Sequence, residues 1–280
     1  MEIPVNHASQ PCRAPVMRYN QTHGRLLMRR TLQFSAVALW VLMGVQAFPS
    51  DSVLVVNRGL PQSNLNNGSG PVRSNVRWGW HEHGFLGDGF TIGSTGERWV
   101  IDSIRTWTVP GDATHVPDHL ADFYEDLRLY FGGSDTGLTP VSTAGLTQGS
   151  DETSTGNVRI SEATQAGALF YDDFGARLRI WQVEFANLNL TVEGGVKYRF
   201  GVWGMGRPVP DMEGKTYTWY NHASNAPLSG TQQDGAEGVM LLFDAAGRSE
   251  GVFNAEGNGW DKSSNINVQV FAHPVRQRSR

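Results

Sequence analysis

The feature that most constrains the fold is a series of short runs in which apolar and polar side chains alternate. In the run ARLRIWQVEF (176–185), apolar residues alternate with Arg179, Gln182 and Glu184. A period of two places every second side chain on the same face of a β-strand. The runs that we predict to be strands are 53–57, 98–109, 126–132, 176–185, 196–204, 216–222, 238–243 and 265–273.

Turn-forming residues separate these runs, and helical patterns are nearly absent. Gly, Asn, Ser and Thr recur between runs that are rich in Val, Ile, Trp, Tyr and Phe, which is typical of an all-β sandwich or barrel. The one helical candidate is PDHLADFYEDL (117–127), in which Asp118 is the predicted cap and Leu120, Phe123 and Leu127 share a face. Residues 134–157 are predicted to be a long polar connection.

One step breaks the alternation. Ile180 and Trp181 are adjacent apolar residues inside an otherwise alternating run. A doubled apolar step indicates either a bulge or a strand that is buried on both faces.

The segment GDGFTIGSTGERWVIDSIRTW (87–107) resembles the opening of the jelly-roll modules of secreted bacterial surface proteins. The shared features are an acidic residue and a Phe, then a Gly-rich turn, then a strand of the form W-x-I-x-x-I-x-x-W. The resemblance implies a two-sheet β-sandwich of jelly-roll type that serves as a binding or surface module. It transfers no functional residue. Together with the alternation, it predicts one all-β sandwich domain over residues 48–280, with at most one short helix.

The segment MRRTLQFSAVALWVLMGVQA (28–47) has the three parts of a secretory signal peptide. Two arginines precede an apolar run, and small residues stand at Val45 and Ala47. The apolar run is shorter than the roughly 20 residues that a membrane-spanning helix needs. We therefore predict a start at Met28, cleavage after Ala47, and a disordered or spurious extension over residues 1–27. The predicted product is secreted or periplasmic, with no membrane insertion.

Charge and cysteine content narrow the class of partner. Residues 48–280 carry 18 basic and 26 acidic side chains, a net charge near −8. No basic cluster interrupts this excess, so the sequence argues against nucleic acid and anionic lipid, whose phosphates must be neutralised. The only cysteine is Cys12, upstream of the predicted domain. A domain without disulfides relies on its core, which is typical of a bacterial exported protein.

Two histidines form the first candidate metal site. On a predicted strand, His81 and His83 point to the same face and Glu82 points to the other. This pair can bind Zn or Cu if a third ligand is supplied elsewhere; the alternative is hydrogen bonding to backbone at the rim of a sheet. The strand is predicted to end in a turn over 84–89, with the next strand starting at Phe90. The candidate third ligands are Asp88, His115, His119 and His222.

The second candidate metal site lies in FNAEGNGWDKSSN (253–265), where oxygen-bearing side chains occupy alternate positions before a glycine. A tight turn of this kind brings alternate oxygens onto one calcium ion, which would be structural. The segment departs from the calcium-loop pattern at Asn265, where a Glu is usual. The alternative is an Asn/Gly-rich turn before the last strand. The predicted ligands are Asn254, Glu256, Asn258 and Asp261.

Aromatic residues supply a candidate ligand site. Exposed aromatic rings stack on the apolar faces of sugars while Asn and His bind the hydroxyls. Core packing is the alternative, and it is favoured for Trp99, Trp107 and Trp181, which lie inside alternating strands. The predicted ligand-binding residues are Trp219, Tyr220, Asn221, His222 and Trp260.

Catalysis is not favoured by any motif. The chain has no G-x-S-x-G, H-E-x-x-H or phosphate-loop sequence. The sequence therefore favours an exported, non-catalytic carbohydrate-binding module whose partner is a glycan or cell-surface polymer. One alternative is a polysaccharide hydrolase or lyase, and another is a self-associating structural protein of the cell surface or matrix. A glycosidase needs two carboxylates, and the candidates are Glu82, Asp88, Asp172, Asp173 and Glu184.

Overall fold

The computed structural model describes residues 52–60, 84–108, 118–134, 136–162, 170–173, 176–210, 212–224, 234, 240–253 and 265–275. These residues form sixteen β-strands and one short 3-10 helix, Leu120–Asp122. None of the helical structure in this part of the chain is long and apolar enough to cross a membrane. The strands are β1 (Val53–Asn57), β2 (Gly84–Thr91), β3 (Arg98–Thr108), β4 (Tyr124–Gly133), β5 (Thr139–Gly145), β6 (Val158–Glu162), β7 (Phe170–Asp173), β8 (Ala176–Arg179), β9 (Trp181–Phe185), β10 (Leu190–Glu193), β11 (Lys197–Gly206), β12 (Ala223–Ser224), β13 (Met240–Asp244), β14 (Ser249–Phe253), β15 (Asn265–Ile266) and β16 (Val268–Pro274).

Two six-stranded antiparallel sheets contain most of these strands. In sheet A the order is β1, β16, β3, β9 and β6, and β10 pairs with the first part of β3. In sheet B the order is β14, β13, β2, β11, β4 and β5. Two small ribbons pair β12 with β15 and β7 with β8.

The main core takes apolar side chains from both sheets. Strict alternation delivers these side chains, because each strand turns every second residue inward. Sheet A contributes Ile104, Val183 and Val270, and sheet B contributes Phe90, Leu129 and Phe200. The predicted all-β, two-sheet sandwich is therefore confirmed. Its jelly-roll connectivity stays a prediction.

The doubled apolar step marks the end of one strand and the start of another. The run 176–185 divides at Ile180, which is fully buried. Before it, β8 pairs with β7; after it, β9 enters sheet A between β3 and β6. The chain therefore exchanges strand partners where the alternation breaks.

The helical prediction at 117–127 is only partly right. A single 3-10 turn occurs, and β4 already begins at Tyr124. Asp118 is not the cap of this turn. The N–H of Leu120 donates to Asp151 Oδ1 at 2.9 Å, so the carboxylate that accepts from the first turn comes from a distant loop. Asp118 instead forms an ion pair with Arg179 at 3.2 Å.

Two further expectations were wrong. The predicted polar connection 134–157 contains β5, an edge strand in which only one of seven residues is buried, so it lacks an apolar pattern. Pro140 is tolerated there because only one neighbour pairs with an edge strand. Conversely, residues 216–222 form no ladder, and only isolated bridges tie Thr216 to Pro208 and Asn221 to Thr108.

The largest difference is at residues 84–89, where a turn was predicted and the structure has β2, a strand inside sheet B. The glycines allow atoms of adjacent strands to approach the β2 backbone closely, and they do not form a turn. A Cβ on Gly87 would lie 2.5 Å from the carbonyl oxygen of Phe200 and 2.6 Å from the ring of Phe243. A Cβ on Gly84 would overlap the carbonyl oxygen of Phe243. The glycine-rich sequence is typical of a turn. In this strand, the glycines instead leave room for an aromatic ring and a carbonyl group to lie against the backbone.

We predict that Gly87→Ala destabilises the protein by about 1–3 kcal/mol because the added methyl group overpacks the strand. Gly156→Ala is the matched control, since a Cβ there meets nothing within 4 Å. Urea unfolding of both variants measures the effect. Equal stability of the two variants would contradict this account of the glycine run.

Candidate functional site

The predicted ligand-binding segment packs against strands of both sheets. The Trp219 ring lies 5.0 Å from the Tyr124 ring, centroid to centroid, and its Nε1 donates to Asn221 Oδ1 at 3.1 Å. The His222 N–H donates to the Trp107 carbonyl at 2.9 Å. The segment thereby joins the end of β3 in sheet A to β4 in sheet B.

Burial distinguishes between the two interpretations of this segment. Trp219, Asn221 and His222 are 2%, 1% and 0% exposed, so none of them offers a surface to a sugar in this structure. Tyr220 is partly exposed, and its carbonyl accepts a hydrogen bond from Thr108 Oγ1 at 2.6 Å. These observations favour core packing for the three buried residues, and their ligand-binding role stays a prediction. Trp260 lies outside the described residues.

The predicted metal ligands are not brought together in the described part of the chain. Among the proposed third ligands, Asp88 is ion-paired with Arg58 and the ring of His119 lies 3.4 Å from Asp151. No group of three or more His, Cys, Asp or Glu in the described ranges could hold a metal. The predicted ligands His81, His83, Asn254, Glu256, Asn258 and Asp261, and the candidate His115, lie outside those ranges.

A buried cluster of charges, which the sequence did not reveal, joins the two sheets. Arg58 follows β1 of sheet A, and its Nη1 lies 2.7 Å from Oδ2 of Asp88 in β2 of sheet B. Arg58 Nε lies 2.8 Å from Oδ2 of Asp234. The Asp88 carboxylate also accepts the N–H groups of Gly89 and Ile266, each at 2.6 Å. The side chains of Arg58 and Asp88 are each 1% exposed, so this cluster is part of the interior.

Burial controls the protonation of this cluster. It raises the pKa of Asp88 from 3.8 to about 6, although Arg58 and the two backbone N–H groups act in the opposite direction. The negative charge of Asp234 contributes a smaller part of this rise. One guanidinium between two ionised carboxylates leaves the cluster negative, so a proton on Asp88 makes it neutral.

The outer face of sheet A carries a second polar feature, which we call the polar row. Its five residues lie opposite one another in the registers of five adjacent strands. Their chain neighbours, such as Ile104 and Val183, point into the core, so alternation turns the row outward. In order across the sheet, the row is Asn57, Gln269, Arg105, Glu184 and Arg159.

Each member of the polar row contacts the next. Gln269 Nε2 donates to Asn57 Oδ1 at 3.2 Å, and Arg105 Nη1 donates to Gln269 Oε1 at 3.1 Å. On its other side, Arg105 Nη2 donates to Glu184 Oε2 at 3.2 Å. Arg159 Nη1 lies 3.8 Å from Glu184 Oε1, which is an ion pair. The contacts fix five side chains in one line.

The polar row is open to solvent at its ends and partly open in the middle. Asn57 is exposed, and the side chains of Arg159 and Arg105 are 40% and 20% exposed. The side chain of Glu184 is only 6% exposed, so its carboxylate lies beneath the guanidinium groups. The partly exposed Phe271 lies beside the row, with its ring centroid 5.0 Å from the Arg105 guanidinium carbon. Gln269 is only 7% exposed, so the accessible groups are the Asn57 amide, the guanidinium groups and the Phe271 ring.

The geometry also bears on Glu184 as a hydrolytic carboxylate. Within the residues that the structure describes, its ion pairs are with Arg105 and Arg159, and none of its polar contacts is with a second carboxylate. In this part of the chain, Glu184 is therefore not paired with the second carboxylate that a glycosidase needs.

We predict that Asp88→Asn destabilises the protein at pH 7 by about 1–3 kcal/mol, because an amide group replaces the oxygen that accepts from Arg58 and from the Ile266 N–H and leaves buried donors unsatisfied. The difference in unfolding free energy from the native protein should grow as the pH falls from 7 to 5. Folded Asp88 takes up a proton near pH 6, whereas the unfolded chain does so near 3.8, so acid stabilises the native protein through this group. Urea unfolding of both proteins at several pH values measures this difference in unfolding free energy.

Asp244→Asn is the control for that series. The backbone N–H of Arg248 lowers the pKa of Asp244, so its contribution is lost only as the pH falls below the ordinary value of 3.8. The effect of Asp244→Asn should therefore stay constant between pH 7 and pH 5. An Asp88→Asn difference that is also constant over this range would show that Asp88 does not take up a proton there.

Comparison of the chain with protein-family models, with curated proteins and with solved structures finds no match. A functional proposal therefore rests on the polar row and on the sequence itself.

Proposed function

We propose that this chain is an exported, non-catalytic binding module whose polar row binds a carbohydrate. The row carries the proposal because its groups suit hydroxyl recognition. Each sugar hydroxyl can both donate and accept a hydrogen bond, and the row offers the exposed amide of Asn57, a donor and an acceptor, beside guanidinium donors. The partly exposed ring of Phe271 adds an apolar surface next to them.

The dimensions of the row favour an extended ligand. Five adjacent strands at the usual spacing place its end residues about 19 Å apart. A monosaccharide covers only a small part of that length, whereas an oligosaccharide lying across the strands can contact several members. We therefore expect affinity to rise with chain length.

The mutual contacts of the row reduce the cost of binding. Side chains that are already held by one another lose less conformational freedom when a ligand arrives. Glu184 has a positioning role here, since it holds Arg105 and Arg159 from beneath through the two ion pairs.

Export to the bacterial cell exterior is the second part of the proposal. Its support is the signal-peptide pattern at 28–47 and the absence of cysteine from residues 48–280. A jelly-roll type of sandwich, implied by the resemblance of residues 87–107, is consistent with a surface module. The partner is then a glycan or another polymer of the cell surface.

We predict that Asn57→Ala weakens glycan binding by about 2- to 10-fold, the value of one neutral hydrogen bond. Gln269→Ala should also weaken binding, because the buried Gln269 amide holds Asn57 and Arg105 in place. Gln148→Ala, at an exposed amide in the loop after β5, is the matched control and should bind as the native protein does. Affinity electrophoresis against a polysaccharide panel identifies the ligand, and calorimetry gives the affinities. The proposal fails if no polysaccharide binds, or if the row variants bind like Gln148→Ala. Release of reducing ends would favour the hydrolase instead.

We also propose a structural calcium ion in the turn that carries Asn254, Glu256, Asn258 and Asp261, on the sequence pattern alone. Added calcium should raise the melting temperature of the native protein, and Glu256→Gln should remove this rise, whereas Glu250→Gln should keep it. Thermal unfolding with and without a chelator measures the effect. An unchanged melting temperature would rule out the calcium site. Zinc or copper in protein purified without chelator would point instead to His81 and His83.

A further inference from the structure

We infer that β1, the outermost strand of sheet A, pairs edge to edge with β1 of a second copy of this chain to form a weak two-fold dimer. The inference does not rest on carbohydrate binding. It starts from the position of β1, which pairs with β16 alone among the described strands. One side of β1 therefore has no neighbouring strand in the part of the chain that the structure describes.

The free side of β1 presents backbone groups that suit another strand. Arg58 donates its N–H to the Val268 carbonyl at 3.0 Å, so these two residues form a hydrogen-bonded pair. Such pairs alternate with non-hydrogen-bonded ones along an antiparallel ladder, so the backbone N–H and C=O of Asn57 point away from β16. Edge groups of this kind are a template for the addition of another strand.

The side chains of β1 are uncharged and partly open to solvent. Val53 and Leu54 are 50% and 41% exposed, Val55 is partly buried, and Val56 belongs to the main core. A second strand at this edge covers apolar surface of Val53 and Leu54 without bringing charges together.

The other edge strands carry features that discourage pairing. Charged side chains and proline on an edge strand prevent a further strand from adding to the sheet. The sequence of β1, VLVVN, has neither, which sets it apart from the other edges of the two described sheets. These edges carry Arg159 and Glu162 in β6, Glu193 in β10, Pro140 in β5 and Glu250 in β14.

A second copy of the chain is the partner that fits this edge. Two copies of β1 can pair antiparallel about a two-fold axis, so that each apolar, uncharged edge meets an identical one. Each edge is then occupied by the other, and assembly stops at a dimer in which the two A sheets are continuous. In the proposed exported form, residues 48–51 precede β1 and are too few to form a turn and a returning strand.

The length and regularity of β1 limit the strength of the dimer. The strand has five residues, and its register shifts between Leu54 and Val56. A bulge interrupts the ladder, and interfaces below about 1,200 Å² are typical of weak, transient complexes. We therefore expect a dimer that forms only at high protein concentration.

Sedimentation equilibrium of the purified protein between about 10 µM and 1 mM, the range of weak complexes, tests the inference. The average mass should rise with concentration toward that of two chains. Leu54→Lys should raise the dissociation constant at least about tenfold, because the two-fold axis places both lysines in the interface and like charges repel across paired strands. Val196→Lys is the matched control and should dimerise as the native protein does, since Val196 is a 44% exposed valine between β10 and β11.

A mixture of two variants tests the contact between the β1 strands directly. Leu54→Lys and Leu54→Glu should each stay monomeric, whereas their equimolar mixture should dimerise because opposite charges attract across paired strands. Urea midpoints equal to that of the native protein establish that each variant folds. A native protein that is monomeric at every concentration, a Leu54→Lys variant that dimerises like the native protein, or a mixture that stays monomeric would each overturn the inference. All three outcomes leave the proposed glycan binding standing.

Discussion

The ion pair between Arg58 and Asp88 joins the two sheets of the sandwich, and the core and the polar row both depend on how these sheets are held together. It lies inside the sandwich, with each side chain 1% exposed, and it links the end of β1 in sheet A to β2 in sheet B. The carbonyl of Arg58 also accepts a hydrogen bond from Ser224 Oγ at 2.7 Å, so the same residue holds the segment that follows Trp219. Asn57, the first member of the polar row, immediately precedes Arg58. The buried charges therefore fix where the row begins.

Alternation predicted the fold class and most strands because it depends only on which face of a strand is buried. Alternation failed to predict a strand where contacts with adjacent strands determine which residue type is allowed. Gly87 of β2 is required by the ring of Phe243 and the carbonyl of Phe200, which approach from adjacent strands. The edge strand β5 is polar because little of it is buried. Neither property can be predicted from the sequence of a single strand.

The candidate site was less predictable than the fold, for a related reason. Alternation alone places Arg105 and Glu184 outward, but their alignment with Asn57, Gln269 and Arg159 needs the register of five strands that are far apart in the chain. The aromatic residues that the sequence favoured for ligand binding include Trp219, which instead packs on Tyr124 in the interior. Composition indicates which side chains can bind a sugar, and only the packing indicates which of them face solvent.

The polar row thus combines a rigid sheet with side chains that are held by one another. Its role is tested most directly by nuclear magnetic resonance of labelled side chains during titration with an oligosaccharide from the polysaccharide panel. The account predicts that the guanidinium signals of Arg105 and Arg159 and the amide signals of Asn57 shift together and saturate, while those of Arg248 and Gln148 stay in place. Saturable binding that leaves the signals of the polar row unchanged would contradict it.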